Sequence, residues 1–243
     1  MLTLRLAWRA FWRHKRRSLI AAAAVAFGLA LTLFMLGTAD DAHRRMAEMG
    51  IRLGSGHVLV QGAGYQQQQT LDHLVEHPQR VIEAARGLPQ VTDVVQRINA
   101  NGLLSSGEAS APVLFSGVDP QIEPRVSDIA GKKKRVAGAY LRSRAQMPFP
   151  NQPADIYLGK ELAKTLRAEL GDRLVLTATP RGGGRPASAA FFLRGTFRSG
   201  ITDVDSFIVQ IPIDEARQLL RLGPRATQVA LLLDDLDQTQ AVS

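Results

Sequence analysis

The chain has 243 residues and no cysteine. That absence excludes disulfide staples, thiol nucleophiles and cysteine-ligated metals, and it is compatible with an oxidising compartment without requiring one. No G-x-x-x-x-G-K-[ST] loop is present either. The nearest approach, Gly159-Lys160, has Ala154 where the first glycine would stand, so ATP is not held in that mode. A G-x-S-x-G nucleophile elbow is also missing. Acidic residues are absent from the first 17 positions, which carry six Lys or Arg. Finally, only one apolar stretch reaches 18 residues.

That stretch, Ser18 to Gly37, is twenty residues without a formal charge. A helix of this length rises about 30 Å, the thickness of a bilayer's hydrocarbon core. Nine of its residues are Leu, Ile, Val or Phe, so insertion is favoured by several kcal/mol (about 0.3 to 0.6 each) with no buried charge opposing it. Arg5, Arg9, Arg13, Lys15, Arg16 and Arg17 flank it on one side, Asp40 and Asp41 on the other. The positive-inside rule then predicts a cytoplasmic N-terminus and an external remainder. Three parts are expected: a cytoplasmic interfacial amphipathic helix over 1–17, a transmembrane helix over 18–38, and a periplasmic domain over 39–243.

A cleavable signal peptide competes with this reading. Gly37-Thr38-Ala39 offers small residues for cleavage before Asp40, and Arg16-Arg17-Ser18-Leu19-Ile20 is like a twin-arginine signal. Against it, the apolar run exceeds the usual h-region, and the arginines recur every four residues beside Trp8, Phe11 and Trp12, as in a helix lying at the membrane interface. Within the run, Ala24, Gly28 and Thr32 put small residues on one helix face where another helix could pack.

The net charge of +8 is largely a property of the N-terminus: the rest of the chain holds 24 basic against 22 acidic residues. That balance is an ordinary surface and not a nucleic-acid footprint. Lys132-Lys133-Lys134-Arg135, joined by Arg142 and Arg144, is the one local basic cluster, read as a solvated loop or as a contact for an acidic partner or lipid headgroups.

Beyond residue 39 the pattern predicts an α+β domain, mixed and divided into two small subdomains. Strands are expected at 57–61, 91–98, 111–118, 156–158, 174–177, 190–197, 206–211 and 228–233. Helices are expected at 79–86, opened by Pro78; along Leu162, Leu166 and Leu170 to Gly171; and from a capping Asp214 to Leu222. Residues 121–150 read as loop, and Arg181 to Arg185 as a hairpin turn. His73-Leu74-Val75-Glu76-His77 matches the H-x-x-E-H zinc pattern, but Pro78 biases His77 away from the helix that both ligands would have to share. No catalytic residue, cofactor or metal ligand is assigned.

The order of these pieces resembles the permeases of lipoprotein-releasing and macrolide-exporter ABC transporters with their periplasmic core domain. The resemblance rests on Leu6-Ala7-Trp8-Arg9 before the span, Gly56-His57-Val58-Leu59-Val60 after it, then Gly117-Val118-Asp119-Pro120. Leu158-Gly159-Lys160-Glu161-Leu162-Ala163, Gly171-Asp172-Arg173-Leu174, and Gly195-Thr196-Phe197-Arg198-Ser199-Gly200 with Asp203 and Asp205 follow, and the Pro212-to-Leu222 helix completes the run. It implies a non-enzymatic inner-membrane subunit working with a cytoplasmic ABC ATPase, a second permease and membrane lipid, and delivering a hydrophobic cargo, by preference a lipoprotein, to a periplasmic carrier. It also implies that the turn holding Arg181, Gly182, Gly183, Gly184 and Arg185 stands where one of the two permeases carries a protruding loop that grips the carrier, and that it is shorter than that loop; on its own chemistry the turn is a solvated hairpin end. These permeases have three further spans that this chain lacks, so a truncated permease and a secreted or anchored interaction domain without transport activity both stand as readings.

Overall fold

Alternating apolar residues punctuated by Gly and Pro form nine strands among the described residues, which in the computed structural model are 16, 19–20, 23–32, 56, 58–65, 70–149 and 152–233. In chain order these elements are β1 (Val58–Gln61), α1 (Pro78–Arg86), β2 (Val91–Ser105), β3 (Ser110–Val118), α2 (Glu123–Val126), β4 (Arg135–Gly138), β5 (Ala154–Gly159) and α3 (Lys160–Thr165). Then come β6 (Arg173–Ala178), β7 (Ala187–Phe197), α4 (Thr202–Phe207), β8 (Ile208–Pro212), α5 (Ile213–Leu220) and β9 (Gln228–Leu233). A mixed α/β domain is therefore observed. The chain divides into Met1–Met49 and Gly50–Ser243, and no further division of the second unit is marked.

That unit is organised around β2. Its first half pairs antiparallel with β9, which pairs with β1, and α1 packs Ile82 and Ala85 against this three-stranded sheet. Its second half pairs with β3 on one side and β6 on the other. Following the partners β3, β8, β5, β7 and β6 returns to β2, so six strands close into a ring, with β4 added to β7. The sequence reading ends β2 at Ile98 because Asn99-Ala100-Asn101-Gly102 is poor strand material. Ladder pairing overrides propensity here: Asn99 to Ser105 have partners on β3 throughout. Gly102 suits the crowded crossing, since a Cβ there would lie 2.9 Å from the Thr177 carbonyl oxygen.

The β5 strand is buried along its whole length and separates two apolar clusters. Ile156 and Leu158 join the main core with Leu104, Phe115, Leu174 and Phe191, while Tyr157 joins Val118, Ile129, Tyr140 and Phe197. The alternation follows from the period of two along a strand. Helix α5 lies close on β3, with Ala216 only 2.4 Å from where a Cβ on Gly117 would be.

Three expectations need correction. Helix α3 ends at Thr165, and Leu170 is exposed instead of continuing the leucine face. Arg167 takes the left-handed conformation with φ 50°, its N–H donates to the Lys164 carbonyl, and the Ala168 N–H reaches back to Ala163, a double bond that terminates the helix before Gly171. Asp214 lies in the first turn of α5 and Pro212 occupies the cap position. Residues 121–150 are more than loop, because α2, β4 and a 3₁₀ turn at Arg144–Gln146 order them and bury Ile129, Ala130, Tyr140 and Leu141.

Candidate functional site

The basic cluster is dispersed by this packing. Arg142 donates Nε and a terminal N–H to the two oxygens of Asp155, at 2.9 Å each, and Arg194 Nε lies 3.2 Å from the same carboxylate. Lys134 Nζ donates to the Ser199 carbonyl at 2.7 Å, and Arg144 pairs with Glu215. Burial raises the Tyr157 phenol to about 12, with the nearby Arg135 acting against that shift. Lys132 and Lys133 are the members left fully exposed.

The H-x-x-E-H segment has no helical geometry. Val75 makes an isolated bridge to Ala226, His77 precedes α1 as its cap residue, and Glu76 is paired with Arg225 and Arg181. Those arginines hold the exposed Glu76 carboxyl below its ordinary value, the Arg225 hydrogen bond foremost. Two histidines on one helical face, which zinc ligation by this pattern needs, are not formed.

At the far end of the β6–β7 hairpin the two predicted arginines separate in character. The Arg181 backbone N–H donates to the Leu220 carbonyl at 3.0 Å, and its guanidinium lies 3.4 Å from Glu76. Arg185 and the three glycines are exposed, with Gly182, Gly183 and Gly184 at φ 80°, 74° and 102°. One arginine therefore anchors the turn and the other faces solvent.

Beside this turn is a surface that sequence reading missed. Cross-strand partners place Pro112, Leu103, Thr177 and Ser188 in one outward row, and Ser110, Ser105, Val175 and Ala190 in the next. Phe192 and Arg173 pair at the edge. Arg173 is the one charge among these outward positions. The hydroxyls are spent on each other, Ser105 with Ser110 and Thr177 with Ser188, both at 2.8 Å. Leu103 stays 45% and Phe192 36% exposed. Apart from Arg173 at its edge, this face across four strands is uncharged and partly apolar, and it is suited to contact with another surface. Its signal in sequence was the absence of charge at alternate positions of four separate segments, which becomes legible only once their register is known.

Ala24, Gly28 and Thr32 lie one turn apart on the described helical stretch of residues 23–32. The Thr32 hydroxyl donates to the Gly28 carbonyl at 2.8 Å, so the backbone itself satisfies its polarity. Leu19, Ile20, Val25 and Phe27 are all exposed. No helix among the described residues is long and apolar enough to cross a membrane. Of the expected interfacial helix only Arg16 is described, and it is helical and exposed; the rest of that helix, including Arg5, Arg9 and Arg13, lies outside the described residues, as do His57, the four glutamines at 66–69 and several positions of the expected span.

Residues 18–243 match the family model of the MacB-like periplasmic core domain. The chain belongs to this family. Among curated proteins it is 28% identical over 169 residues to the lipoprotein-releasing system transmembrane protein LolC of Xylella fastidiosa, a match covering 68% of this chain and 38% of that protein. The LolC of Neisseria meningitidis serogroup B is 33% identical over 94 residues, covering 37% of this chain and 22% of the relative. The match thus spans well under half the length of these relatives. Among solved structures, the periplasmic region of MacB from Actinobacillus actinomycetemcomitans superposes with a TM-score of 0.52 at 15% identity, covering 76% of this chain and 77% of that one. This likeness shows the fold, and with the LolC relatives it bears out the resemblance to permeases of the lipoprotein-releasing and macrolide-exporter type. Several quoted motifs have a structural reason in this fold: in Gly195 to Gly200, the Ser199 N–H donates to the buried Asp205 carboxylate at 2.7 Å and fixes the exit from β7.

Proposed function

We propose that this chain is the membrane-anchored outer part of a permease subunit in an ATP-driven transporter that passes lipoproteins to a periplasmic carrier. The observation that carries the reading is the similarity to LolC proteins over two thirds of the chain, within a family defined by a periplasmic core domain. The exposed side chains of Leu19, Ile20, Val25, Phe27, Leu29 and Leu31 support an anchor over 18–38, because exposed apolar side chains on a helix belong in lipid or under a partner helix. Residues 39–243 are then periplasmic, and Ala24, Gly28 and Thr32 form the face for a second permease helix. ATP hydrolysis falls to a separate cytoplasmic ABC subunit, and the chain itself acts by binding and movement instead of by catalysis.

For the carrier, we assign the hairpin end at 181–185 together with the uncharged face around Leu103 and Phe192. Arg185 would steer an acidic carrier surface and so act on the association rate, an effect that fades with salt. Arg181 would fix the turn through Leu220 and Glu76. The test is carrier binding by the purified full chain in low and high salt. Arg185→Ala should slow association by about threefold to tenfold at low salt, with dissociation little changed. An unchanged association rate would make the turn a plain hairpin end and this chain the permease that does not hold the carrier.

A further inference from the structure

The outward face of β2, β3 and β8 continues beyond its open area to a place covered by residues from the 119–130 segment and α4, and there its chemistry changes. Asn99, Ser116 and Gln210 are successive cross-strand partners, and Leu114 and Ile208 form the neighbouring row. Arg97 and Gln228 pair at the β2–β9 side. With Ile129 and Val204 these residues line a half-open cavity of about 240 Å³. Nothing in the hairpin end or the proposed carrier contact uses it.

Each amide here is tied by its oxygen and open at its nitrogen. The Ser116 hydroxyl donates to Asn99 Oδ1 at 2.7 Å, the Tyr140 hydroxyl donates to Gln210 Oε1 at 2.9 Å, and Gln61 Nε2 donates to Gln228 Oε1 at 3.4 Å. The three amide NH₂ groups have no acceptor among the described residues. Gln210 is nonetheless 97% buried and Gln228 93%. The nitrogens themselves are not fully enclosed and open onto the cavity, where solvent or a bound acceptor must meet them. The carboxylate at hand, Glu123, spends both oxygens on Arg97 Nε, at 3.2 and 3.0 Å. Water filling the cavity would have two protons of its own to place, whereas a carboxylate brings two oxygens that only accept.

We propose that this cavity binds the carboxylate of a small aliphatic acid, held by the NH₂ groups of Asn99, Gln210 and Gln228, with its apolar end on Leu114, Ile129 and Ile208. The inference is independent of the permease reading. Sodium isobutyrate is the probe and isobutyramide its neutral isostere, titrated into the full chain by calorimetry with thermal unfolding in parallel. Isobutyrate should bind with a dissociation constant of about 1 mM, the range open to so small a fragment, and the amide at least about tenfold more weakly. Asn99→Asp and Gln210→Glu keep the bonds from Ser116 and Tyr140 but replace the open NH₂ with an acceptor oxygen, and each should weaken isobutyrate by at least about tenfold. If Gln210→Glu does not fold, the less buried Asn99→Asp carries the test. No binding of isobutyrate, equal binding of the amide, or undiminished binding by Asn99→Asp would each overturn the proposal and leave a hydrated structural cavity.

Discussion

The ion pair of Arg97 and Glu123 joins β2, the strand shared by both sheets, to α2, and its side chains are 4% and 1% exposed with N···O distances of 3.0 to 3.2 Å. Removing either partner leaves an uncompensated buried charge, which costs about 3–5 kcal/mol. Against a typical domain stability of about 5–15 kcal/mol, Arg97→Met or Glu123→Leu alone should bring the fold close to its limit. Removing both is a different perturbation. The double variant Arg97→Met/Glu123→Leu loses the attraction and both desolvation penalties together, and such exchanges are often neutral or stabilising. The expected stability is therefore within about 1 kcal/mol of the parent, a coupling of several kcal/mol across the cycle. Urea unfolding of the full chain at pH 7, followed by circular dichroism with the m-value checked for constancy, measures this. If a single variant fails to fold, the double variant still decides the matter. Single costs below about 1 kcal/mol, or costs that simply add in the double, would refute the buried coupling.

The chain has three tyrosines, Tyr65, Tyr140 and Tyr157, and burial raises all three phenols above their ordinary value of 10, Tyr157 to about 12. The unfolded chain therefore releases these protons first, so the stability they contribute is intact below pH 10 and is lost as pH rises through the folded values. A titration at about 295 nm should show little ionisation near pH 10 and then a steep rise that coincides with loss of circular dichroism; three independent ionisations near 10 in a folded protein would contradict it. Gly117→Ala pushes a methyl group into Ala216 Cβ, 2.4 Å away, and should cost about 1–3 kcal/mol in the same urea assay, with no cost if α5 can move aside freely. Asp155→Asn removes the charge that Arg142 and Arg194 share, and should cost about 1.5–3 kcal/mol; a loss below about 0.5 would mean that the 140–144 segment is held by apolar packing alone.

The sequence was most legible where one residue decides one local geometry. Pro78 at the opening of α1 and the glycines of the 181–185 turn are local constraints, and both stand as read. It was least legible where pairing partners decide. The continuation of β2 through Asn99 to Gly102 rests on its pairing with β3, and Leu103 to Ser105 pair also with β6, distant in sequence; no propensity encodes that. Leu170 kept the four-residue spacing of Leu162 and Leu166, yet a helix ends where its backbone bonds end, and Arg167 ends this one by adopting positive φ without being glycine. The basic cluster at 132–144 looked like one patch because its members are close in sequence. Arg142 and Arg144 are in fact directed to Asp155 and Glu215, whose partnership is a matter of tertiary packing. At the candidate site the turn could be found from its glycines, whereas the uncharged face beside it could be found only from the register of four strands.

We propose that the hairpin end and the adjoining uncharged face receive a lipoprotein carrier. A photo-crosslinking amino acid placed singly at Arg185, Leu103 and Phe192, with Leu59 on the separate three-stranded sheet as the control position, tests it in intact cells. Carrier adducts are expected from positions 185, 103 and 192, reduced when lipoprotein synthesis is blocked, and none from position 59. Carrier adducts from position 59 alone, or no carrier adduct from any of the other three, would contradict it.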